Sequence, residues 1–167
     1  MFYNLINKLD NKFNFSTVSA HCDIPCKIYD PITAQIAVLT MIRMVDLLNE
    51  LNEKDQLSVS DQAQLYRLVD QKESHGKQVK EEIRTIWGDF IKAPQLEKFP
   101  ELHTLVHSIM LTASSAKQSI DKEVTLALLN KVNRFAEIFW QCKGIETYTA
   151  VCPYPPEQAI VYPVVKK

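Results

Sequence analysis

The chain has 167 residues, of which 46% are hydrophobic and 23% charged, and its formal net charge is −1. This length suffices for one domain with its own hydrophobic core. The near-neutral charge is not that of a nucleic-acid binder, and inspection finds no run of about 20 apolar residues to span a membrane. Only three glycines occur, too few for a glycine-rich phosphate loop or a turn-rich all-β fold. We therefore expect neither nucleic acid nor membrane among the partners.

The eight prolines are unevenly placed, with none between residues 32 and 93 and none between 101 and 152. Proline in a helix interior costs about 3 kcal/mol. The two proline-free blocks are therefore where long helices are expected.

The first block is predicted to hold two helices. Asp30-Pro31 combines an N-cap aspartate with proline at the first helical position. The second helix is predicted to start with a capping box formed by Ser58 and Asp61, while residues 70–80 around Gly76 are polar and carry the weakest helical signal. The apolar faces predicted for these two helices are Ala34, Val38, Met41, Val45 and Leu48, and Val79, Ile83, Ile86 and Phe90.

The second block is also predicted to hold two helices, opening at Pro100-Glu101 and Asp121, with Gly144 as a natural end. Four amphipathic helices with mostly short loops predict an all-α, antiparallel four-helix bundle. The first and fourth helices are apolar over more than one stripe, which leaves two interpretations open: a wide core face, or a second face buried in subunit contacts. The residues of this second stripe are Ile36, Leu39, Ile42, Leu126, Leu129 and Trp140.

A cluster of possible metal ligands precedes the first helix. His21, Cys22 and Cys26 lie within six residues around Pro25, so two thiols and an imidazole can converge on one ion. Chance spacing or an incidental disulfide is the alternative. Because residues 1–20 lack the continuous apolar stretch of a secretory signal, we expect a reducing compartment, the cytoplasm.

The segment 21–31, His-Cys-Asp-Ile-Pro-Cys-Lys-Ile-Tyr-Asp-Pro, resembles the nickel hook of the nickel-containing superoxide dismutases. That family's pattern reads His-Cys-x-x-Pro-Cys-Gly-x-Tyr-Asp-Pro. Two further segments, residues 87–103 and 138–143, resemble other parts of the family in the same order. The resemblance spans about residues 21–144 and implies the same helical fold carrying an N-terminal metal-binding hook.

The resemblance implies a precursor whose residues 1–20 are removed by a maturation protease. Residues 21–144 would form the nickel-hook and helical domain, and residues 145–167 a proline-rich C-terminal extension. The nickel ligands would be the new α-amine and imidazole of His21, the backbone nitrogen of Cys22, and the thiolates of Cys22 and Cys26.

The implied activity is conversion of superoxide to dioxygen and hydrogen peroxide by Ni(II)/Ni(III) cycling. By resemblance, Tyr29 lies over the open face of the nickel, and Asp23 and Lys92 match family positions around the site. A lysine near the mouth raises the local concentration of a small anion. A homo-oligomer, in this family a hexamer, is also implied.

Two positions depart from the family pattern. Lys27 replaces a glycine, which matters if the position needs φ > 0. Ala37 replaces a glutamate that tethers the axial imidazole through an arginine, whose own position is held by His75. These departures keep an alternative open: a catalytically silent four-helix-bundle interaction protein that binds nickel, copper or zinc. Copper is included among these metals because protein sites of this kind have a higher intrinsic affinity for copper than for nickel.

The remaining candidates are weaker. The residues 145–167 are expected to form a disordered or surface-laid extension, or a segment that docks on a neighbouring subunit. Cys142 and Cys152 can pair or remain thiols. His103 and His107 have the four-residue spacing of a helical metal pair, but no third ligand is evident beside them.

Overall fold

The structure is a computed structural model that describes residues 27–165, so the predictions for residues 1–26 lie outside it. The described chain is mostly helical, as the sequence indicates. Its elements are α1 (Ile32–Asn52), α2 (Val59–Thr85), a π-helical turn (Ile86–Phe90), α3 (Ala93–Lys98), α4 (Leu102–Gln118), α5 (Lys122–Cys142), β1 (Thr147–Val151) and β2 (Ala159–Pro163). The π-helical turn, α3 and the two strands were not predicted.

Two helix starts follow the predicted capping residues, whereas α1 begins one residue later than predicted, with Pro31 as its N-cap. The Asp30 carboxylate accepts a hydrogen bond from the backbone N–H of Ile32 at 2.9 Å. Ser58 and Asp61 form the reciprocal capping box at the start of α2. Asp121 accepts from two backbone N–H groups in the first turn of α5. Local side-chain chemistry therefore decides where these helices begin.

The four long helices close a ring of contacts in which α1 packs on α2 and α5, and α4 packs on the same two helices. The predicted apolar faces meet inside this ring. All predicted face residues of α1 are buried, and so are Leu128, Val132, Phe135 and Phe139 of α5. Gly144, with φ +70°, ends α5 as predicted.

The polar middle of α2 is continuous helix. Neighbouring helices pack closely on it at Gly76. A Cβ atom on Gly76 would lie 2.4 Å from Cγ of Lys117 and 3.2 Å from Cε of Met41. Glycine therefore lets α4 and α1 approach α2 closely at this point.

Lys72, one turn before Gly76, is buried. Its Nζ donates to the carbonyl oxygens of Ala116, Lys117 and Ser119 at 2.8, 2.5 and 2.8 Å. These carbonyls lie at the C-terminal end of α4, where helical carbonyl groups lack intrahelical partners. A side chain of α2 thus caps α4.

The C-terminal extension forms an antiparallel β-hairpin, in which Thr147 lies opposite Pro163 and Val151 opposite Ala159. The rings of Tyr148 on β1 and Tyr162 on β2 stack at 5.6 Å between centroids.

This hairpin packs on the chain's own helices. The buried Gln35 side chain of α1 donates to Oδ1 of Asn133 at 2.8 Å and to the carbonyl of Val161 at 3.1 Å. Asn133 of α5 donates in turn to the carbonyl of Ala159 at 2.9 Å. Residues 147–163 are therefore part of the folded domain, more integrated than the loose extension that we expected.

The second apolar stripe of α1 and α5 is largely buried within this one chain. Leu39, Ile42 and Leu129 are buried, and Ile160 of the hairpin joins the same core cluster. Ile36, in contrast, is 45% exposed. The wide-core interpretation thus accounts for most of the stripe.

By length and composition alone, α1 is long and apolar enough to cross a membrane, with a mean hydropathy of 1.4 over its best window. The expectation that no segment reaches this length and hydropathy is therefore wrong for α1. Half of that window is buried inside the fold, as in a core helix.

Candidate metal centre

The predicted site residues divide into two groups. His21, Cys22, Asp23 and Cys26 lie outside the described residues, whereas Tyr29 and Lys92 lie within them. The structure therefore describes the surroundings of only these two predicted site residues.

Lys27 is the first described residue and has φ +57°. This left-handed conformation costs a residue with a Cβ atom about 1–2 kcal/mol. The position where the family pattern has glycine thus adopts the backbone geometry that favours glycine.

Tyr29 lies just before α1 and is half-buried. Its ring centre is 6.2 Å from that of Phe90, which in turn lies 4.9 Å from the buried ring of Phe139. The aromatic cluster of Tyr29, Phe90 and Phe139 thus connects the start of α1 with the π-helical turn and α5.

The π-helical turn places Phe90 and the residues that follow it. The Ile91 N–H bonds the carbonyl of Ile86, five residues back, at 3.3 Å. Nζ of the exposed Lys92 donates to the carbonyl of Gly88 at 3.1 Å. Within the described chain no carboxylate lies within 4 Å of this ammonium, so its charge is available to an anion.

The two helical histidines, His103 and His107, belong to no group of three metal-binding side chains among the residues that the structure describes. Nε1 of Trp87 donates to Nδ1 of His103 at 3.1 Å, so a neutral His103 carries its own proton on Nε2. Among residues 27–165, no three side chains of His, Cys, Asp or Glu are grouped to hold a metal ion.

Ala37 and His75, the two positions of the missing imidazole tether, make other contacts within the helical domain. Ala37 is buried in the core. Nδ1 of His75 donates to the carbonyl of Gln71 in its own helix at 2.7 Å.

Cys142 and Cys152 are free thiols, so the structure favours the unpaired interpretation. Burial raises the pKa of the Cys142 thiol, which keeps it protonated at neutral pH. The Cys152 thiol is buried and donates to the carbonyl of Tyr154 at 3.3 Å.

Sequence reasoning missed the contacts that Phe90 makes with Tyr29 and with Lys143. Phe90 and Lys143 lie in segments that resemble the family, but nothing in their spacing indicates that they meet. Nζ of Lys143 lies over the Phe90 ring.

Comparisons with known proteins identify the family. The family model described as nickel-containing superoxide dismutase matches residues 16–143. The superoxide dismutase [Ni] of Streptomyces seoulensis is 32% identical over 126 residues, which cover 75% of this chain and 90% of the relative. The superoxide dismutase [Ni] of Streptomyces coelicolor is 34% identical over 128 residues, covering 76% and 91%.

Solved structures agree. A native nickel superoxide dismutase structure matches with a TM-score of 0.63 and 31% identity, covering 74% of this chain and 99% of that one. A structure with nickel ligation corresponding to the oxidised state gives the same values. Because the family model ends at residue 143, the C-terminal hairpin lies beyond it. The chain belongs to the nickel-containing superoxide dismutase family and is an enzyme whose cofactor is nickel.

Proposed function

We propose that this chain converts two superoxide ions and two protons into dioxygen and hydrogen peroxide at an N-terminal hook. The match to the family model over residues 16–143 carries the proposal, because it spans the hook motif, Tyr29 and Lys92. When bound, nickel supplies the one-electron redox chemistry between its divalent and trivalent states.

The donor chemistry of the hook fits nickel. His21, Cys22 and Cys26 offer an amine, an imidazole, a backbone nitrogen and two thiolates. Thiolates and deprotonated amides donate strongly to the metal, which stabilises its higher oxidation state. This ligand set is a proposal from the motif.

Three further residues are proposed to act on the substrate side. Tyr29, half-buried against Phe90, would position a small anion or water and exclude larger molecules. Lys92 would attract superoxide, because its ammonium is exposed beside the π-helical turn. Asp23 would act around the metal, because it matches a family position around the site.

The proposed mature form begins at His21, after a protease removes residues 1–20, and works in the cytoplasm. Its architecture would be an antiparallel four-helix bundle with an N-terminal hook, supported by the ring of contacts among α1, α2, α4 and α5. By family resemblance, the assembly would be a homohexamer.

Intact mass and metal analysis on protein matured in its own host, combined with a dismutase assay, test this function. We expect a chain starting at His21 with about one nickel ion, and activity that is lost in Cys22→Ser and in Cys26→Ser. Cys142→Ser is the matched control, since this thiol lies outside the proposed ligands. Full activity in a chain that retains residues 1–20 would contradict the role of processing.

A second function, a catalytically silent metal-binding interaction protein, is favoured by one observation. Lys27 occupies a backbone conformation of positive φ, which opposes closure of the hook. One zinc or copper ion per chain without dismutation would support this alternative.

A further inference from the structure

Lys143 follows directly after α5, and two aromatic rings hold its ammonium. Nζ lies 5.2 Å from the ring centre of Phe139 and 5.5 Å from that of Phe90, and these rings are 4.9 Å apart. Three nearly equal distances place the ammonium beside both rings at once. Aromatic faces attract a cation through their quadrupole, so the position of this charge is constrained.

The same cluster reaches the proposed substrate side of the site. The Phe90 ring that contacts Lys143 also lies 6.2 Å from the ring of Tyr29. The Lys143 ammonium is therefore one aromatic ring away from Tyr29. In the part of the chain described here, no carboxylate lies within 4 Å of it.

We propose that Lys143 is a second steering cation for superoxide, held beside Tyr29 by Phe90 and Phe139. This inference rests on the proposed function. The protein's net charge is −1, so attraction of an anionic substrate depends on local cations. Aromatic rings hold the ammonium and leave its positive charge intact, whereas a carboxylate partner would neutralise that charge.

The test compares nickel-loaded proteins that begin at His21: wild type, Lys143→Gln and Lys143→Arg. We expect Lys143→Gln to lower kcat/KM for superoxide by about two- to fivefold at low ionic strength, and the difference to shrink as salt is added. Lys143→Arg keeps the charge and should retain most of the rate. Pulse radiolysis over a range of ionic strengths gives these values.

Lys54→Gln is the control for a distant lysine charge, because Lys54 lies beyond the far end of α1, where its ammonium pairs with Asp61. The 21 residues of α1 span about 30 Å, several times the screening length of about 8 Å at physiological salt. We expect this variant to keep the wild-type rate and salt dependence.

A second measurement uses the metal-free protein. We expect the ε-methylene protons of Lys143 to be shifted upfield in NMR spectra by the two rings, and Phe90→Leu to reduce that shift. An unshifted wild-type signal would overturn the geometry.

Three kinetic outcomes separate the possibilities. A wild-type rate and salt dependence in Lys143→Gln would overturn the steering role. A loss that is independent of salt would also overturn it, because it would indicate a structural role. An inactive nickel-loaded wild type would refute the proposed function itself, whatever the NMR spectra show.

Discussion

Lys27 is the residue through which the described structure bears on the proposed hook. The sequence raises the question of whether this position needs φ > 0, and the structure places it at +57°. A lysine there carries a backbone cost of about 1–2 kcal/mol that glycine avoids. We therefore expect Lys27 to affect the nickel affinity of the proposed hook through its backbone geometry as well as through its charge.

We expect Lys27→Gly to tighten nickel binding by up to about fivefold, since relief of about 1 kcal/mol changes an equilibrium by that factor. Competition with a chelator measures the affinity of the chain that begins at His21. Lys27→Ala is the control, because it removes the charge but keeps the Cβ atom and its cost. Equal affinities for the two variants would contradict the backbone explanation.

At the scale of elements, α2 depends on partners that lie far away in the chain. Lys72 reaches carbonyl groups 44 to 47 residues further on, and burial lowers the pKa of its ammonium. Gly76 admits the side chains of Lys117 and Met41. Residues 70–80, whose polar sequence is typical of a surface helix, thus form a contact between helices.

We expect Lys72→Met to lower the free energy of unfolding by about 2–4 kcal/mol, because it leaves the end of α4 without its charged donor. Urea denaturation measures the change. Lys77→Met, at an exposed position on the same helix, should change stability by less than about 0.5 kcal/mol. Equal effects from the two substitutions would disprove the capping role of Lys72.

The stabilisation that Asp61 gives to the start of α2 should decrease at low pH. Hydrogen bonds from Lys54 and then Ser58 lower the pKa of Asp61 from 3.8 to about 2. Because folding favours the ionised carboxylate, its stabilisation is complete above pH 3.8 and disappears as the pH falls through about 2.

We therefore expect wild type to be more stable than Asp61→Asn at pH 7, with a difference that narrows between pH 4 and pH 2. Thermal unfolding at pH 7, 4 and 2 measures this difference. Asp55→Asn, an exposed change in the preceding loop, serves as the control. A constant difference for Asp61→Asn at all three pH values would be inconsistent with the lowered pKa.

For the whole molecule, the C-terminal hairpin completes the helical domain. Ile160 is fully buried and belongs to the main core cluster. Gln35 and Asn133 bind the carbonyls of β2. The hairpin therefore covers the face formed by α1 and α5, although it lies outside the residues 16–143 that the family model matches.

We expect Ile160→Ala to lower the free energy of unfolding by about 2–4 kcal/mol through lost burial and the cavity that it leaves. Val151→Ala, at a position that is 63% exposed on the other strand, should change it by less than about 0.5 kcal/mol. Chemical denaturation of both variants measures these changes in the free energy of unfolding. A negligible effect of Ile160→Ala would mean that the hairpin does not contribute to the core.

The sequence by itself determined the features that depend on neighbours along the chain. Asp30, Ser58 and Asp121 accept hydrogen bonds from backbone N–H groups at helix starts two or three residues further on. The apolar faces follow from the helical repeat, and the nickel family follows from motifs with short spacing. The roles of Tyr29 and Lys92 are predictions from the same resemblance.

Only the tertiary structure decided what depends on distant partners. The docking of the hairpin joins residues 126 positions apart, and Lys72 finds its carbonyls in another helix. The meeting of Lys143 with Phe90 depends on the π-helical turn and on the packing of α5. Such contacts form only when several helices are already in place, so no local pattern indicates them.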